Sequence, residues 1–321
     1  MEQIELDQLK DKFHGRSILI IGDVMLDRYI QGKVTRISPE APVPILEWHA
    51  SEDRLGGAAN VAVNCLAMGA RVSLVSIIGQ DDEGIRFKEC IRNTGMDDRY
   101  IYASAERRTT TKTRVMAAQQ HLLRLDAEDT GYLSETEAAH VLRHWQAAWD
   151  EQLPDLVIIQ DYDKGLLDKT LIHQITGQCR QARIPVIVDP KRRQFWDYRD
   201  VTLFKPNLKE LSDALGYPVE PHPGALALAL KELQARLNPA YILVTLGGHG
   251  MYLTGSESRL LAPVPIELTD VCGAGDTVIS VLAVAMAAGL PVAEAAELAN
   301  HGAAWVCTQP GVVPVQWEAW K

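Results

Sequence analysis

Most of the chain alternates between two hydrophobic patterns. Amphipathic stretches of helical period are followed by short, continuous apolar runs. A continuous apolar run of strand length is typical of a strand that is buried on both faces of a parallel sheet. From residue 134 onward the pattern predicts helix 134–150, strand 155–160, helix 168–181, strand 184–189, helices 207–215 and 223–237, and strand 240–246.

The same pattern is present nearer the start of the chain. Residues 2–14 predict a short amphipathic helix, and the runs from Ser17 to Ile21 and from Arg71 to Ile78 predict buried strands. Strands that alternate with helices form parallel sheets with right-handed crossovers. The sequence therefore predicts an α/β fold built on a mostly parallel sheet.

Two segments depart from this alternation. Residues 28–50 contain short β-prone runs broken by prolines, and residues 100–126 are alternating and β-prone. We expect the two segments to pair into a small sheet that covers a ligand cleft. The predicted division is an α/β domain of residues 1–27, 51–99 and 127–321, and a β-lid of residues 28–50 and 100–126.

Composition narrows the possible functions. The formal net charge of −10, without any run of basic residues, argues against a nucleic-acid partner. The first residues lack the basic and apolar regions of a signal peptide, and the longest apolar run, 278–290, is too short to span a bilayer. The five cysteines are odd in number and widely spaced. We therefore expect a cytoplasmic protein with reduced thiols and no membrane partner.

The segment Gly273-Ala274-Gly275-Asp276 carries the strongest chemical signal. Its small residues leave successive N–H groups open to an anion, and the apolar run that follows predicts a buried helix. A helix N-terminus adds unpaired amides and the positive end of the helix dipole. The arrangement favours phosphoryl transfer, with the amides holding the phosphate and Asp276 taking a proton from the attacking hydroxyl. The structural alternative is close packing, with Asp276 as a helix cap.

Further candidates lie at the start of the chain. Asp23 and Asp27 follow the first strand, where open α/β sheets bind ligands, and both could hold substrate hydroxyls. Gly56 and Gly57 permit close approach of a small ligand, and Asn60 offers both a donor and an acceptor. Solvated turns for the carboxylates and tight helix–sheet packing for the glycines are the alternatives.

The later strand ends also carry polar residues. Asn207 and Glu210 form an N-x-x-E pair at a helix start, which could order water around Mg²⁺ or act as a capping box. A glycine turn that contains Thr245, Gly247 and Gly250 suits a nucleotide, although a hairpin would need it too.

Together these motifs resemble the ribokinase-like (PfkB) family of sugar kinases over essentially the whole chain. Three motifs in the right order carry the resemblance: G-G-x-x-N at 56–60, N-x-x-E at 207–210 and G-A-G-D at 273–276. The resemblance implies a ribokinase-like three-layer αβα sandwich with a mostly parallel sheet and a small β-sheet lid.

Several longer stretches resemble one branch of this family, which phosphorylates D-glycero-β-D-manno-heptose 7-phosphate. These stretches are 21–29, 36–44, 56–62, 124–126 and 188–191. The branch uses ATP and Mg²⁺ to phosphorylate the anomeric hydroxyl, on the way to ADP-heptose for lipopolysaccharide core. The chain departs from the branch at Cys272 and Lys205, where threonine is common, and at Gln160, where serine is common. These departures leave open a different sugar phosphate.

The resemblance also implies roles for individual residues. Asp276 would be the general base, and Gly273, Ala274 and Gly275 the anion hole. The other implied roles are sugar binding by Asp27, Gly56, Gly57 and Asn60, ATP binding by Asn207, Thr245, Gly247, Gly250 and Asn300, and organisation of Mg²⁺ through water by Asn207 and Glu210. A phosphorylated sugar also needs cations, and the candidates are Arg36, Lys112, Arg114, Arg124, Lys164 and Lys191.

Two further expectations concern partners and rival functions. Lid strands have unpaired edges and apolar side chains, so we expect a homodimer that forms through the lid. The rival functions are a kinase of the same family for another sugar, sugar phosphate or nucleoside, and a catalytically silent sugar-phosphate or nucleotide sensor. Retention of Asp276 with the complete glycine loop argues against the sensor. A dehydrogenase is disfavoured because no G-x-G-x-x-G follows the first strand.

Overall fold

A computed structural model describes residues 3–117, 120–255 and 258–321. Its helices are α1 (Gln3–Phe13), α2 (Ala58–Ala67), α3 (Asp82–Asn93), α4 (Glu135–Glu151), α5 (Lys169–Ala182), α6 (Leu208–Leu215), α7 (Pro223–Leu237), α8 (Ala274–Ala287) and α9 (Val292–Cys307). Short 3-10 turns follow at Gly247–His249 and Trp317–Trp320. The four helices predicted between residues 134 and 237 are confirmed to within one residue at each end.

The strands of the described residues form one large and one small sheet. They are β1 (Ser17–Gly22), β2 (Val24–Ile37), β3 (Pro44–Gly57), β4 (Arg71–Gly79), β5 (Ile101–Ser104), β6 (Thr111–Ala117), β7 (Gln120–Ala127), β8 (Leu156–Gln160), β9 (Val186–Asp189), β10 (Leu203–Phe204), β11 (Tyr241–Thr245), β12 (Met251–Thr254) and β13 (Arg259–Leu261). The large sheet has the order β13-β12-β11-β10-β9-β8-β1-β4-β5. Only β12 runs antiparallel to its two neighbours, β11 and β13, so the predicted α/β fold with a mostly parallel sheet is confirmed.

Helices cover both faces of the large sheet, which explains the continuous apolar runs. On β1, Ile18 and Ile20 join the core that contains α1, α2, α3, α8 and α9, whereas Leu19 and Ile21 join the core beneath α4 to α7. Side chains alternate along a strand, so a strand between two helical layers must be apolar at every position. Burial of each such side chain contributes roughly 1.5–3 kcal/mol. The result is the three-layer αβα sandwich.

The small sheet has the order β3-β2-β6-β7 and combines the two segments that break the α/β alternation. β2 pairs with β3 in antiparallel and with β6 in parallel register, and β7 closes the sheet antiparallel to β6. The two segments are separated by about fifty residues, and the parallel β2–β6 pairing joins them. We name this sheet the lid.

The predicted lid boundaries differ from the structure in two respects. Residues 100–126 were expected to be lid, but Ile101–Ser104 forms β5, which pairs with β4 at the edge of the large sheet. Ile101 and Ser104 are buried there, so this run belongs to the main core. Lid strands also extend back to Val24 and on to Gly57, beyond the predicted 28–50. Residues 118 and 119 of the predicted lid lie outside the described residues.

Helix α8 holds the glycine loop against the core. It is apolar on all sides, and its residues from Asp276 to Ala285 are buried between α2, α9 and the sheet. Gly273 precedes it with a φ of +81°, a conformation that only glycine adopts without strain. A helix packed on every side cannot tilt without disturbing the core, so its N-terminus is fixed in place. Among the helices of the described ranges, none is both long and apolar enough to cross a membrane.

Candidate active site

Polar residues from several strand ends meet at the N-terminus of α8. Gln160 ends β8, Asp189 ends β9 and Lys205 follows β10, and all three are buried. The Nε2 of Gln160 donates to Oδ2 of Asp189 (3.1 Å) and approaches Oδ1 of Asp276 (3.4 Å). Polar residues from three strand ends thus meet at the carboxyl edge of the sheet, where open α/β sheets bind ligands.

Asp276 lies in the first turn of α8 and is 7% exposed. Its Oδ2 accepts a hydrogen bond from Nδ2 of Asn60 (2.8 Å), and its Oδ1 accepts one from the hydroxyl of Tyr162 (2.6 Å). Both oxygens are thus occupied by neutral donors. The carboxylate is held in one orientation, facing the start of α2 on one side and the loop after β8 on the other.

Burial raises the pKa of Asp276 to about 6, while the hydrogen bonds from Tyr162 and Asn60 oppose the rise. Nearby Asp189 raises it further, and Lys205 lowers it. A base works best when its pKa is near the working pH, because it is then ionised and still has affinity for a proton. Asp276 is therefore suited to accept a proton at neutral pH, as a plain helix cap would not need to be.

Tyr162 was not singled out from the sequence, although it follows β8 by two residues. Its loop is fixed by Asp23, whose buried carboxylate accepts the backbone N–H groups of Tyr162 (2.9 Å), Lys164 (3.1 Å) and Leu166 (3.3 Å). Asp23 therefore organises the loop, and its oxygens are not free for substrate hydroxyls.

We expect Tyr162→Phe to shift the acidic limb of the kcat/KM profile to higher pH. The hydroxyl donates to the ionised carboxylate, so its loss disfavours the charged form and raises the pKa of Asp276 above about 6. The group must be deprotonated to act as a base, so activity near pH 6 falls while activity at pH 8 changes little. Steady-state kinetics from pH 5 to 9 would show this. An unchanged acidic limb would show that Tyr162 does not control the pKa of the catalytic base.

The side chain of Lys205 lies close to the glycine loop, Gly273 to Gly275. Its Nζ forms an ion pair with Oδ2 of Asp189 (3.0 Å), and both side chains are at most 7% exposed. The same Nζ lies 3.9 Å from the position that a Cβ on Gly275 would occupy. A buried ammonium group therefore lies beside the amides that were predicted to hold phosphate, which is the place where an anion would be stabilised most.

A cleft of ≈ 1100 Å³ opens on the other side of the glycine loop. The five residues predicted to bind ATP all line it, together with Ala274 and Gly275: Asn207, Thr245, Gly247, Gly250 and Asn300. Much of the remaining lining is apolar and includes Val264, Ile266 and Ala303. A large apolar cleft with an anion site at one end matches the shape and polarity of a nucleotide.

Asn207 and Glu210 form a capping box, which is one of the two interpretations that the sequence allowed. The Oδ1 of Asn207 accepts from the N–H of Glu210 (2.8 Å), and the Oε2 of Glu210 accepts from the N–H of Asn207 (2.9 Å). The other oxygen of Glu210 pairs with Lys191. Within the described residues no group of three His, Cys, Asp or Glu side chains could hold a metal ion. The chain therefore fits a Mg²⁺ ion only where water and phosphate oxygens supply most ligands, as Mg²⁺ prefers.

The predicted sugar residues lie where the lid meets the large sheet. Asp27 is 5% exposed and pairs with Arg114 on β6. A side chain at Gly56 would collide with the Asp27 carboxylate, and one at Gly57 would meet the carbonyl of Asp23. Tight packing therefore explains both glycines, whereas Asp27 and Asn60 are buried polar residues whose side chains contact Arg114 and Asp276.

Comparison with known proteins agrees with this geometry. The sequence pattern of the pfkB family of carbohydrate kinases matches residues 16–319. This chain belongs to that family. It is 40% identical over 300 residues to the bifunctional protein HldE of Methylobacillus flagellatus, covering 93% of this chain and 61% of that protein. It is 38% identical over 315 residues to the bifunctional protein HldE of Magnetococcus marinus, covering 97% and 64%. The chain thus spans about three fifths of the length of these curated relatives.

Solved structures of carbohydrate kinases show the same fold. One is phosphofructokinase-2 from Escherichia coli in complex with fructose-6-phosphate, with a TM-score of 0.76 at 17% identity over 95% of this chain and 96% of that chain. Another is the ribokinase of Arabidopsis thaliana complexed with ribose and ATP, with a TM-score of 0.73 at 18% identity over 95% and 97%. At these identities the likeness supports the ribokinase-like architecture alone.

The side chains predicted to bind the sugar phosphate differ in their ion-pair partners. Arg114 pairs with Asp27, Arg124 with Asp126, Lys191 with Glu210 and Lys164 with Glu128. Arg36 lies exposed near the tip of the lid. Lys112 is in register with Asp27, so the two side chains share the face of the lid that carries the sugar residues. No ion pair of Lys112 is found among the described residues, which distinguishes it from the paired cations.

Proposed function

We propose that the chain transfers the γ-phosphoryl group of ATP to the anomeric hydroxyl of a sugar phosphate, D-glycero-β-D-manno-heptose 7-phosphate. The product would be the 1,7-bisphosphate. The observation that carries the proposal is the position of Asp276. Its carboxylate lies at a helix N-terminus beside the nucleotide-sized cleft, accepts a hydrogen bond from Asn60 at the start of the helix that follows lid strand β3, and has a pKa of about 6. The choice of sugar follows from the motifs that resemble the heptose kinase branch.

In the proposed reaction, Asp276 takes the proton of the anomeric hydroxyl as that oxygen forms a bond to the γ-phosphorus. The bond from the γ-phosphorus to the bridging oxygen breaks, and ADP leaves with the electron pair. The amides of the glycine loop hold the equatorial oxygens, and Lys205 adds a positive charge beside them. Catalysis of this kind depends on positioning and electrostatic stabilisation more than on covalent chemistry.

Mg²⁺ would neutralise phosphate charge in this reaction. Glu210 would hold the ion through water, with Asn207 beside it at the start of α6. The ion pair between Glu210 and Lys191 leaves this carboxylate partly neutralised already. Phosphate oxygens would therefore be the main ligands, and Glu210 would orient the water shell.

Lys112, together with Lys164, is our candidate for the distal phosphate of the sugar. Burial lowers the pKa of Lys112, and the nearby charge of Lys164 lowers it further. The carboxylates of Asp126, Glu128 and Asp27 offset part of this effect, and Lys164 already pairs with Glu128. Lys112 forms no ion pair among the described residues, so its ammonium group is the one left to bind an anion. Lys112 thus fits a sugar that already carries a phosphate better than a neutral sugar.

We expect Lys112→Ala to raise KM for the phosphorylated sugar by about ten- to a hundredfold. This corresponds to the loss of the binding free energy of one charge-assisted hydrogen bond. KM for ATP should stay within about twofold, since Lys112 does not line the nucleotide cleft. Lys33→Ala removes an exposed lysine from the same lid and provides the matched control. Equal changes in the two KM values, or an equal effect of the control, would contradict this assignment.

The lid also supports the proposal of a homodimer. β3 and β7 are edge strands, and large apolar side chains on the lid are exposed, among them Trp48 (66%), Leu123 (53%) and Leu125 (53%). Edge strands with exposed apolar residues are prone to pair with another chain. Light scattering at micromolar concentration should give twice the mass of the chain. A monomer at that concentration would count against the proposal.

The decisive experiment is ADP release from ATP and Mg²⁺ with a panel of acceptors. The panel holds D-glycero-D-manno-heptose 7-phosphate, sedoheptulose 7-phosphate, fructose 6-phosphate, ribose and adenosine. We expect turnover with the heptose phosphate at a kcat/KM at least about tenfold above the others. Preference for another member would reject the proposed sugar and keep the kinase assignment. No turnover with any acceptor would reject the kinase and favour a sensor.

A further inference from the structure

Arg54 connects the lid to the end of the chain. It lies on β3 in register with Asp27, and its Nη1 donates a hydrogen bond to the carbonyl oxygen of Val312 (3.1 Å). Val312 belongs to residues 308–316, between α9 and the last 3-10 turn. We name this segment the C-terminal loop. Arg54 therefore forms a direct contact between a lid strand and the main α/β body.

The guanidinium group of Arg54 is held in one orientation. Glu52, on the same strand, accepts from its Nε (2.6 Å) and its Nη2 (3.1 Å). The ring of Tyr29 on β2 lies 5.0 Å from the guanidinium carbon, within the range of a cation–π contact. Glu52 binds one edge of the guanidinium group and the Tyr29 ring packs against one face, so that Nη1 points toward Val312. The contact is thus built into the lid and does not depend on a freely rotating surface side chain.

The C-terminal loop in turn approaches the glycine loop, Gly273 to Gly275, and the residues just before it. The N–H of Gly311 donates to Oδ2 of Asp270 (3.2 Å), and Oδ1 of Asp270 accepts from the N–H of Cys272 (2.9 Å). The Cγ1 of Val312 also lies 3.4 Å from the position that a Cβ on Gly273 would occupy. The backbone that turns into α8 is therefore supported by the segment that Arg54 holds.

We propose that Arg54 is a positioning residue that makes the geometry of the glycine loop depend on the position of the lid. The inference rests on the proposed function, because it assigns the glycine loop to phosphate binding. With the lid over the sugar, Arg54 anchors Val312 and the C-terminal loop keeps Gly273 in its left-handed conformation. The contact is formed in this structure, whereas in the fraction of molecules whose lid is open that anchor is lost and the amides are less well arranged. Bound sugar lowers that open fraction. Phosphoryl transfer is then favoured only when the sugar is covered.

Hydrogen exchange of the protein without ligands tests the contact directly. In Arg54→Ala, amides in residues 268–276 and 308–316 should exchange about tenfold faster than in the wild type, because local opening becomes easier. Peptides from β8 should not change. The matched control is Arg28→Ala, which removes a lid arginine that pairs with Asp53 and Glu83 instead. Unchanged exchange in Arg54→Ala, or the same increase in the control, would overturn the proposal.

Kinetics test the consequence for the reaction. The quantity to measure is the ratio of sugar-dependent turnover to ATP hydrolysis without sugar. Arg54→Ala should lower this ratio by about tenfold, an effect of the size typical of residues that couple two sites. KM for ATP should be unchanged. Arg54→Lys, which can still reach the Val312 carbonyl, should restore part of it. A merely structural role would lower both rates in the same proportion, and that result would overturn the proposal.

A double-mutant cycle then tests the route through Val312. Val312→Ala keeps the carbonyl but removes the side chain beside Gly273, so it should also lower the ratio. Because both changes break the same connection, the double variant should lose no more than Arg54→Ala alone, whereas additive losses would contradict the route. If the wild type phosphorylates no acceptor, the proposed function fails. The exchange experiment still decides whether Arg54 supports the glycine loop.

Discussion

Asp276→Asn is expected to reduce kcat by about 10²- to 10⁴-fold, the usual contribution of a general base. The substitution keeps the size of the side chain and removes its ability to take a proton. Asp276 lies in the first turn of α8 between two neutral donors, Asn60 and Tyr162, so its charge is the property that the change removes. Single-turnover kinetics with saturating ATP and sugar would measure the loss in the chemical step.

The control for Asp276→Asn is a variant one turn further along the same helix. Ser280→Ala removes a hydroxyl that donates to the backbone carbonyl of Asp276 (2.6 Å) and leaves the carboxylate untouched. It should retain kcat to within a few fold. Nucleotide affinity should be close to wild type in both variants, because neither residue lines the nucleotide cleft. Near-normal turnover in Asp276→Asn would reject the residue as the base.

Lys205→Met is expected to reduce kcat by about 10²- to 10³-fold, which is the cost of losing one group that stabilises charge in the transition state. The ammonium group lies beside Gly275, in a buried position where its charge is poorly screened. The same substitution leaves the buried carboxylate of Asp189 without its cation. It should therefore also lower the free energy of unfolding, by roughly 3–5 kcal/mol.

The double variant Lys205→Met with Asp189→Asn separates these two effects. It removes the uncompensated charge and keeps an acceptor for Gln160, so thermal unfolding should return close to that of the wild type. The loss in kcat should remain if Lys205 contacts the transferred phosphoryl group. Recovery of turnover together with stability would show that Lys205 serves only to neutralise Asp189.

The sequence was sufficient for the elements that have a strong period. Strands β1 and β8 contain continuous apolar runs, Ile18 to Ile21 and Leu156 to Ile159, and their flanking helices have clear amphipathic patterns, so the layered fold could be predicted without any tertiary information. β5 was misassigned because a four-residue run of Ile, Tyr, Ala and Ser has no pattern that distinguishes the edge of one sheet from the edge of another. Its pairing with β4 is a property of the folded chain.

The candidate site residues also divide into those that a local sequence pattern indicates and those that only the folded chain brings together. The glycine loop and Asp276 could be identified because four adjacent residues carry the signal. Tyr162 reaches Asp276 across 114 positions, and Arg54 reaches Val312 across 258. No local pattern marks either contact. The glycines at 56 and 57 were open to two interpretations, and only the packing against Asp27 and Asp23 shows what a side chain there would displace.

The burial of α8 has a consequence for how this protein can change its preference for sugars. Replacing a large apolar residue in such a helix costs roughly 2–5 kcal/mol, which is a large part of the stability of a domain. The lid strands are far more exposed, and surface substitutions usually cost within about 0.5 kcal/mol. Mutational tolerance is thus greater in the exposed parts of the lid, the sheet that we propose covers the sugar. New acceptor specificities should arise by substitution in the lid, while the helix that carries Asp276 stays as it is.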